Sequence, residues 1–205
     1  MRPVPAFDPD AFPRTAAYLA ALPGGLEAYP RCRVRTVVTR EITDQFPQVL
    51  ESQGIDPEVR DLLRGSIGGG EWMPDAHGML VRLLVRDAAF ETDADYCRWY
   101  FDVAGRIFAK PFYRVLMYVV SPTLVMLGAQ KRWAAFREGT TLSAKIERNQ
   151  GEIELRFPER LYPELTLRGF GEAFRASVVA ARARSAYVDL LEASPDRGRW
   201  KIGWQ

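Results

Sequence analysis

Three side chains in this sequence are of types that carry chemistry on their own: His77, Cys32 and Cys97. A single histidine excludes a two-histidine metal site. What remains for His77 is general acid–base work or one axial bond to haem iron. It follows Trp72-Met73-Pro74 near the start of a helix, where the plainer expectation is a boundary histidine hydrogen-bonded near the helix cap. Cys97 with His77 would make a nucleophile–base pair, but its Tyr and Trp neighbours point to a buried, inert thiol. Cys32 stands between Arg31 and Arg33, and neighbouring cations lower a thiol pKa, so it is the more reactive candidate. The two cysteines lack metal spacing, which fits a reducing cytoplasm and leaves a single disulfide open.

The other polar groupings have structural readings. Glu91, Asp93 and Asp95 occupy a helix amino terminus, where negative charge is stabilised by the helix dipole. Gly68-Gly69-Gly70 is followed by Glu71-Trp72 rather than by Lys and Ser or Thr, so it lacks the phosphate ligands of a P-loop. Gly169-Phe170-Gly171 lacks the third glycine of a dinucleotide fingerprint. Arg31, Arg33, Arg35 and Arg40 form one basic group, and Arg168, Arg175 and Arg182 another. With a formal net charge of +2 over 205 residues, they read as solvated faces rather than as a nucleic-acid surface. No catalytic residue and no metal ligand set is assigned, and the expectation is a protein that is not an enzyme and carries no cofactor.

The elements that would position these groups follow from periodicity. Residues 1–28 are proline-rich and read as an arm, with a short helix over Thr15–Leu22. Residues 29–205 read as a single α+β domain. Val34–Phe46 is helix-compatible. Asp56-Pro57-Glu58 starts a helix with a cap, a first-turn proline and an acid at the positive end of the dipole. Further helices run from Pro74 to Ala89, from Thr92 or Asp93 to Ala109, from Pro111 to Val120, and from Ser121-Pro122 to Phe136. On the second of these, Tyr96, Trp99, Tyr100, Val103 and Ile107 make one apolar stripe, while Phe101, Ala104 and Phe108 make another. That marks a central helix. Tyr96, Trp99, Tyr100, Phe108 and Phe112 are the candidate lining of an apolar ligand pocket.

The last third changes period. Leu142–Arg148 and Glu152–Phe157 alternate across Asn149-Gln150-Gly151, and Ser185–Ala193 and Arg199–Gln205 alternate around Ser194–Gly198. Between the pairs, Leu165–Arg184 reads as helix, with a small-residue stripe of Gly169, Ala173, Ala176 and Ala180. The fold class is therefore α+β: a helical layer followed by hairpin–helix–hairpin forming one antiparallel sheet. The longest uncharged run, Val115–Gln130, is interrupted by Ser121-Pro122 and is shorter than the roughly 20 apolar residues of a membrane span.

Tyr29-Pro30-Arg31-Cys32-Arg33-Val34, Glu71-Trp72-Met73-Pro74-Asp75-Ala76-His77 and Val120-Ser121-Pro122 follow one another along the chain. Arg132-Trp133-Ala134-Ala135-Phe136-Arg137-Glu138-Gly139-Thr140-Thr141 and Leu167-Arg168-Gly169-Phe170-Gly171 complete the order. In that order they resemble a family of myxobacterial paralogues described as a domain of unknown function, over about Tyr29 to Gln205. At the level of element order the chain also looks like the V4R, TRAPP-subunit and haem-NO-binding fold group. That resemblance implies an apolar ligand, haem or an acyl chain between helices and sheet, or dimerisation. The haem branch uses a proximal His and a Tyr-x-Ser-x-Arg motif, and this chain has no Tyr-x-Ser-x-Arg. The resulting expectation is a cytoplasmic, V4R-like signalling adaptor or interaction module, a homodimer with a protein partner, no nucleic acid and no membrane span. A haem or lipid sensor, or an enzyme using Cys97 and His77, are the alternatives.

Overall fold

The computed structural model describes residues 6–111 and 121–205. The fold is α+β, with helices and antiparallel strands along the chain. It divides into two compact units, Met1–Asp93 and Ala94–Gln205. The division falls after residue 93 rather than at the expected boundary between 28 and 29. The expected arm is, over its described part, built into the first unit. Phe7, Phe12, Tyr18 and Leu22 are buried, and the backbone of Asp8 and Asp56 bonds to Gly54 and Ala6. Gly54, at φ +88°, takes the left-handed conformation that this junction requires, and a Cβ there would meet Asp8 Cβ at 2.9 Å.

In the first unit, α1 (Pro13–Ala21) packs on α4 (Asp75–Ala89). The Thr15 amide and hydroxyl join them by donating to the Asp87 carboxylate at 3.0 and 2.9 Å. The stretch expected as helix from Val34 opens as a strand, β1 (Arg33–Arg35), before α2 (Thr36–Thr43) begins. β1 pairs antiparallel with β2 (Trp72–Pro74), with Val34 opposite Met73 and Arg35 opposite Trp72. Both are only three residues long, too short for alternation to be visible in the sequence. The α3 helix (Pro57–Gly68) starts as its sequence dictates: the Asp56 side chain accepts from the amides of Glu58 and Val59. Every residue of α4 from Asp75 to Arg86 is buried, including Asp75, His77, Arg82 and Arg86. Four titratable side chains on one buried helix are unusual.

In the second unit, α5 (Asp93–Ala109) is counted from its second residue. It buries Tyr96, Tyr100, Val103, Ala104 and Ile107 and leaves Trp99, Phe101 and Phe108 half-buried. Trp99 and Phe108, members of the two apolar stripes, therefore sit at the edge of the core rather than inside it. The expected helix from Pro111 to Val120 lies, after Pro111, outside the described residues. The run from Ser121 breaks at Gly128 into α6 (Pro122–Leu127) and α7 (Ala129–Ala134). The short strand β3 (Arg137–Glu138) follows.

The hairpin–helix–hairpin is present. β4 (Thr141–Glu147) and β5 (Gln150–Arg156) precede α8 (Glu164–Ala180), and β6 (Ala186–Ser194) and β7 (Arg197–Trp204) follow it. All four strands form one antiparallel sheet in the order β4-β5-β7-β6. Leu142, Ile153, Leu155, Trp200 and Ile202 are buried, Ala144 and Ile146 half-buried. The α8 helix packs against β6 and β7. Gly198 is what lets the Trp200 indole lie flat under it, because a Cβ there would meet Trp200 Cη2 at 2.5 Å. The same indole donates its N–H to the Leu167 carbonyl at 3.1 Å.

Candidate functional site

The turn from β2 into α4 carries His77 inward, where 5% of its surface remains exposed. Its Nε2 lies 3.0 Å from the Leu26 carbonyl and its Nδ1 lies 2.8 Å from the Ser66 hydroxyl. A carbonyl only accepts, so Nε2 carries the proton and donates, while Nδ1 accepts from Ser66. Burial pushes the ring pKa below its ordinary value, against the Leu26 carbonyl and the nearby Glu27 charge, which act to raise it. A neutral imidazole with both nitrogens engaged has no lone pair to offer iron. His77 therefore does not fit an axial haem ligand, and no haem chemistry follows from it. The expectation of a boundary histidine near the helix cap is corrected too: His77 is buried and ties α4 to α3 and to the loop after α1.

Cys32 is also inside. It is 3% exposed, and its carbonyl accepts the Asp75 amide at 2.9 Å. Burial, and then the negative charge of Asp75, push its thiol up to about 11. The flanking arginines that suggested a reactive thiol, Arg31 and Arg33, are both exposed, whereas Cys32 between them is buried. Arg35 stacks over Trp72 at 4.3 Å and pairs with Glu71. Arg40 donates to the Ile67 carbonyl at 2.9 Å. This part of the basic group is thus spent on joining β1 to β2 and α2 to α3. Cys97 belongs to the second unit and is half-buried.

The acidic group at the start of α5 does more than complement a helix dipole. Asp93 accepts from Arg86 Nε at 2.7 Å and from Arg14 at 2.9 Å. Burial acts to raise its carboxyl, but the hydrogen bonds and charges of Arg86 and Arg14 outweigh it and hold the pKa below the ordinary value. Asp95 pairs with Arg98 at 3.1 Å. Among the described residues, no three His, Cys, Asp or Glu side chains gather into a metal-binding group.

Of the five pocket residues expected from the sequence, Tyr96, Trp99 and Tyr100 come together, with ring centroids 5.6–6.3 Å apart. Gly169 of α8 receives the Tyr100 ring, to which a Cβ would come within 3.2 Å. Phe108 stacks edge-on with Phe136 at 6.3 Å, and Phe112 lies outside the described residues. The small-residue stripe of α8 thus accepts an aromatic ring at Gly169, while Ala173 is half-buried and Ala180 exposed.

A second aromatic group was not anticipated. Phe157, Tyr162, Phe170, Trp133, Phe174 and Trp200 form a continuous chain of ring contacts at 4.9–6.3 Å. Arg137, 5% exposed, lies over Phe170 at 4.7 Å and over Trp133 at 5.1 Å, and donates to the Tyr162 hydroxyl. These residues come from α7, β3, the loop after β5, α8 and β7, so no local sequence pattern shows their convergence. Arg82 is equally unannounced: a charged residue within the apolar run of α4, buried completely.

Among the described residues, no helix is long and apolar enough to cross a membrane. No family model and no curated protein sequence matches the chain. Among solved structures it is similar to an H-NOX protein mutant from K. algicida in the unliganded Fe(II) form. The two share 12% identity over 83% of this chain and 96% of that one, with a TM-score of 0.46.

Proposed function

We propose that the chain is a non-enzymatic signalling or protein-interaction module whose second unit holds an apolar small molecule or an apolar partner surface beside α5. The observation that carries this reading is the incomplete burial of Trp99, Phe101 and Phe108 on one helix. Large aromatics left incompletely buried on a framework helix are the residues that binding surfaces use, because they supply much contact area for little conformational entropy. Leu124 and Leu127, 51% and 65% exposed on α6, add apolar surface in the same unit. The chemistry of His77 and Cys32 supports the non-enzymatic part. One is a neutral hydrogen-bonded bridge and the other a protonated thiol, so neither is poised as base or nucleophile. The same reading has the module acting in the cytoplasm as a homodimer, and as a relative of the myxobacterial family that its ordered motifs resemble.

Sedimentation of the full chain over a concentration series, together with titration by anilinonaphthalene sulfonate, tests the proposal. Saturable probe binding or concentration-dependent association, weakened by Trp99→Ala or Leu127→Ser, is the expected result. A strictly monomeric protein that leaves the probe unbound overturns it.

A further inference from the structure

The sheet order β4-β5-β7-β6 leaves two edges, and the chain treats them differently. The helices α6 and α7 pack against β4, which also carries the exposed Lys145. At the other edge, β6 is nine residues long and holds neither lysine nor proline. Among the described residues no strand pairs with its outer side, and Tyr187 and Leu191 are 47% and 52% exposed. Cover, lysine, proline and shortness are the usual protections of a strand edge, and β6 lacks all four.

Its register limits what fits there. Against β7 the strand is regular from Ala186, opposite Trp204, to Leu190, opposite Trp200. The register then shifts, and Leu191 has no opposite residue. Before Ala186, the backbone of Arg184 and Ser185 is bonded to Gln205. Along the regular run, alternate residues face opposite ways. Val188 turns toward α8, where a Cβ at Gly171 would lie 3.4 Å from its Cγ2. Tyr187 and Asp189 take the other face, opposite Gly203 and Lys201.

The midpoint of this regular run is Val188. Two identical strands paired antiparallel about a twofold axis at Val188 set Ala186 opposite Leu190 of the second copy, and Tyr187 opposite its Asp189, each pair occurring twice. Apolar residues then meet on the face that α8 covers, and a tyrosine meets a carboxylate on the other. The exposed Arg184 of one copy falls beside Glu192 of the other at both ends. An axis at Asp189 would instead set two carboxylates against each other, and one at Leu190 would carry the pairing through the register shift.

We propose that the outer edge of β6 is a homodimer interface, on which a second copy of this chain pairs antiparallel about Val188 and joins the two sheets into one. The proposal rests on the homodimer of the functional reading and gives it a surface apart from α5. A pairing this short lies at the small end of specific interfaces, so the association is weak and depends on concentration.

The test is sedimentation equilibrium of the full chain, with amide hydrogen exchange followed by mass spectrometry at low and high protein concentration. The expected result is a monomer–dimer equilibrium in which peptides covering Ala186–Leu190 gain protection with concentration, while those covering α5 and β4 do not. Tyr187→Asp sets two pairs of like charges across the axis and should weaken association about tenfold, whereas Tyr187→Lys, which sets lysine against Asp189, should not. Adding Asp189→Lys to Tyr187→Asp should restore the dimer. Both side chains are exposed, so the variants should fold, and circular dichroism checks that they do. Association that is weakened by Trp99→Ala but equal in Tyr187→Asp and Tyr187→Lys overturns the proposal and puts the contact on α5. A chain that stays monomeric at every concentration also overturns it, leaving the edge to a strand of another protein. If that monomer still binds anilinonaphthalene sulfonate, the reading of α5 stands without the dimer.

Discussion

Replacing His77 by alanine measures whether the histidine is framework. The substitution removes a ring that is 5% exposed and two hydrogen bonds, to the Leu26 carbonyl and the Ser66 hydroxyl. Each bond contributes about 1 kcal/mol net. The cavity left by the imidazole adds about as much again, giving a loss of about 3 kcal/mol. In a chain of this size, one kcal/mol moves the melting temperature by about 2–4 °C, so His77→Ala should melt roughly 6–12 °C lower.

The pH dependence has a definite sign. Burial depresses the folded-state pKa, whereas an unfolded histidine titrates near about 6.5. Above that value both states are neutral and the contribution is complete. Below it the unfolded chain takes up a proton that the folded chain refuses, so stability falls, by at most about 1.4 kcal/mol per pH unit, until the folded pKa is reached. Urea titrations of wild type and His77→Gln at a series of pH values separate this component, since glutamine keeps an amide donor and does not titrate. A His77→Ala protein that melts within about 1 °C of wild type would refute the reasoning. So would a wild-type stability that rises as the pH drops below about 6.5.

Trp99→Ala should cost about 2 kcal/mol in urea denaturation, less than the roughly 3–5 kcal/mol of a fully enclosed aromatic, because Trp99 is half-buried. Trp200→Phe removes the donor to the Leu167 carbonyl in a fully buried setting and should cost about 1–3 kcal/mol by the same measurement. With its thiol raised to about 11, Cys32 is only about one part in a thousand thiolate at pH 8. Iodoacetamide should therefore label the half-buried Cys97 first in the native protein, and peptide mass spectrometry should find Cys32 modified only after unfolding.

Where a signal is local, the sequence was sufficient. Asp56-Pro57 starts α3, and alternation on either side of Leu165–Arg184 delivers β4, β5, α8, β6 and β7 within a few residues of their ends. These depend on neighbours one to four positions apart, which is the range over which side-chain period and capping act. The sequence did not carry what depends on residues far apart in the chain. Strand pairs three residues long, such as β1 with β2, have no period to read. The order that sets β5 beside β7 is fixed by which faces can be covered together, and the register shift between Leu190 and Glu192 belongs to the pairing of β6 with β7. Charge is the clearest case. Arg31 and Arg33 flanking Cys32 suggest a lowered thiol pKa, yet burial beside Asp75 raises it. Arg82 and Thr39 are ordinary residues in sequence, and only the packing of α2 on α4 closes both off from water with no partner. Burial and hydrogen-bond satisfaction are properties of the folded interior as a whole, so tertiary structure alone could decide which of these side chains carry chemistry.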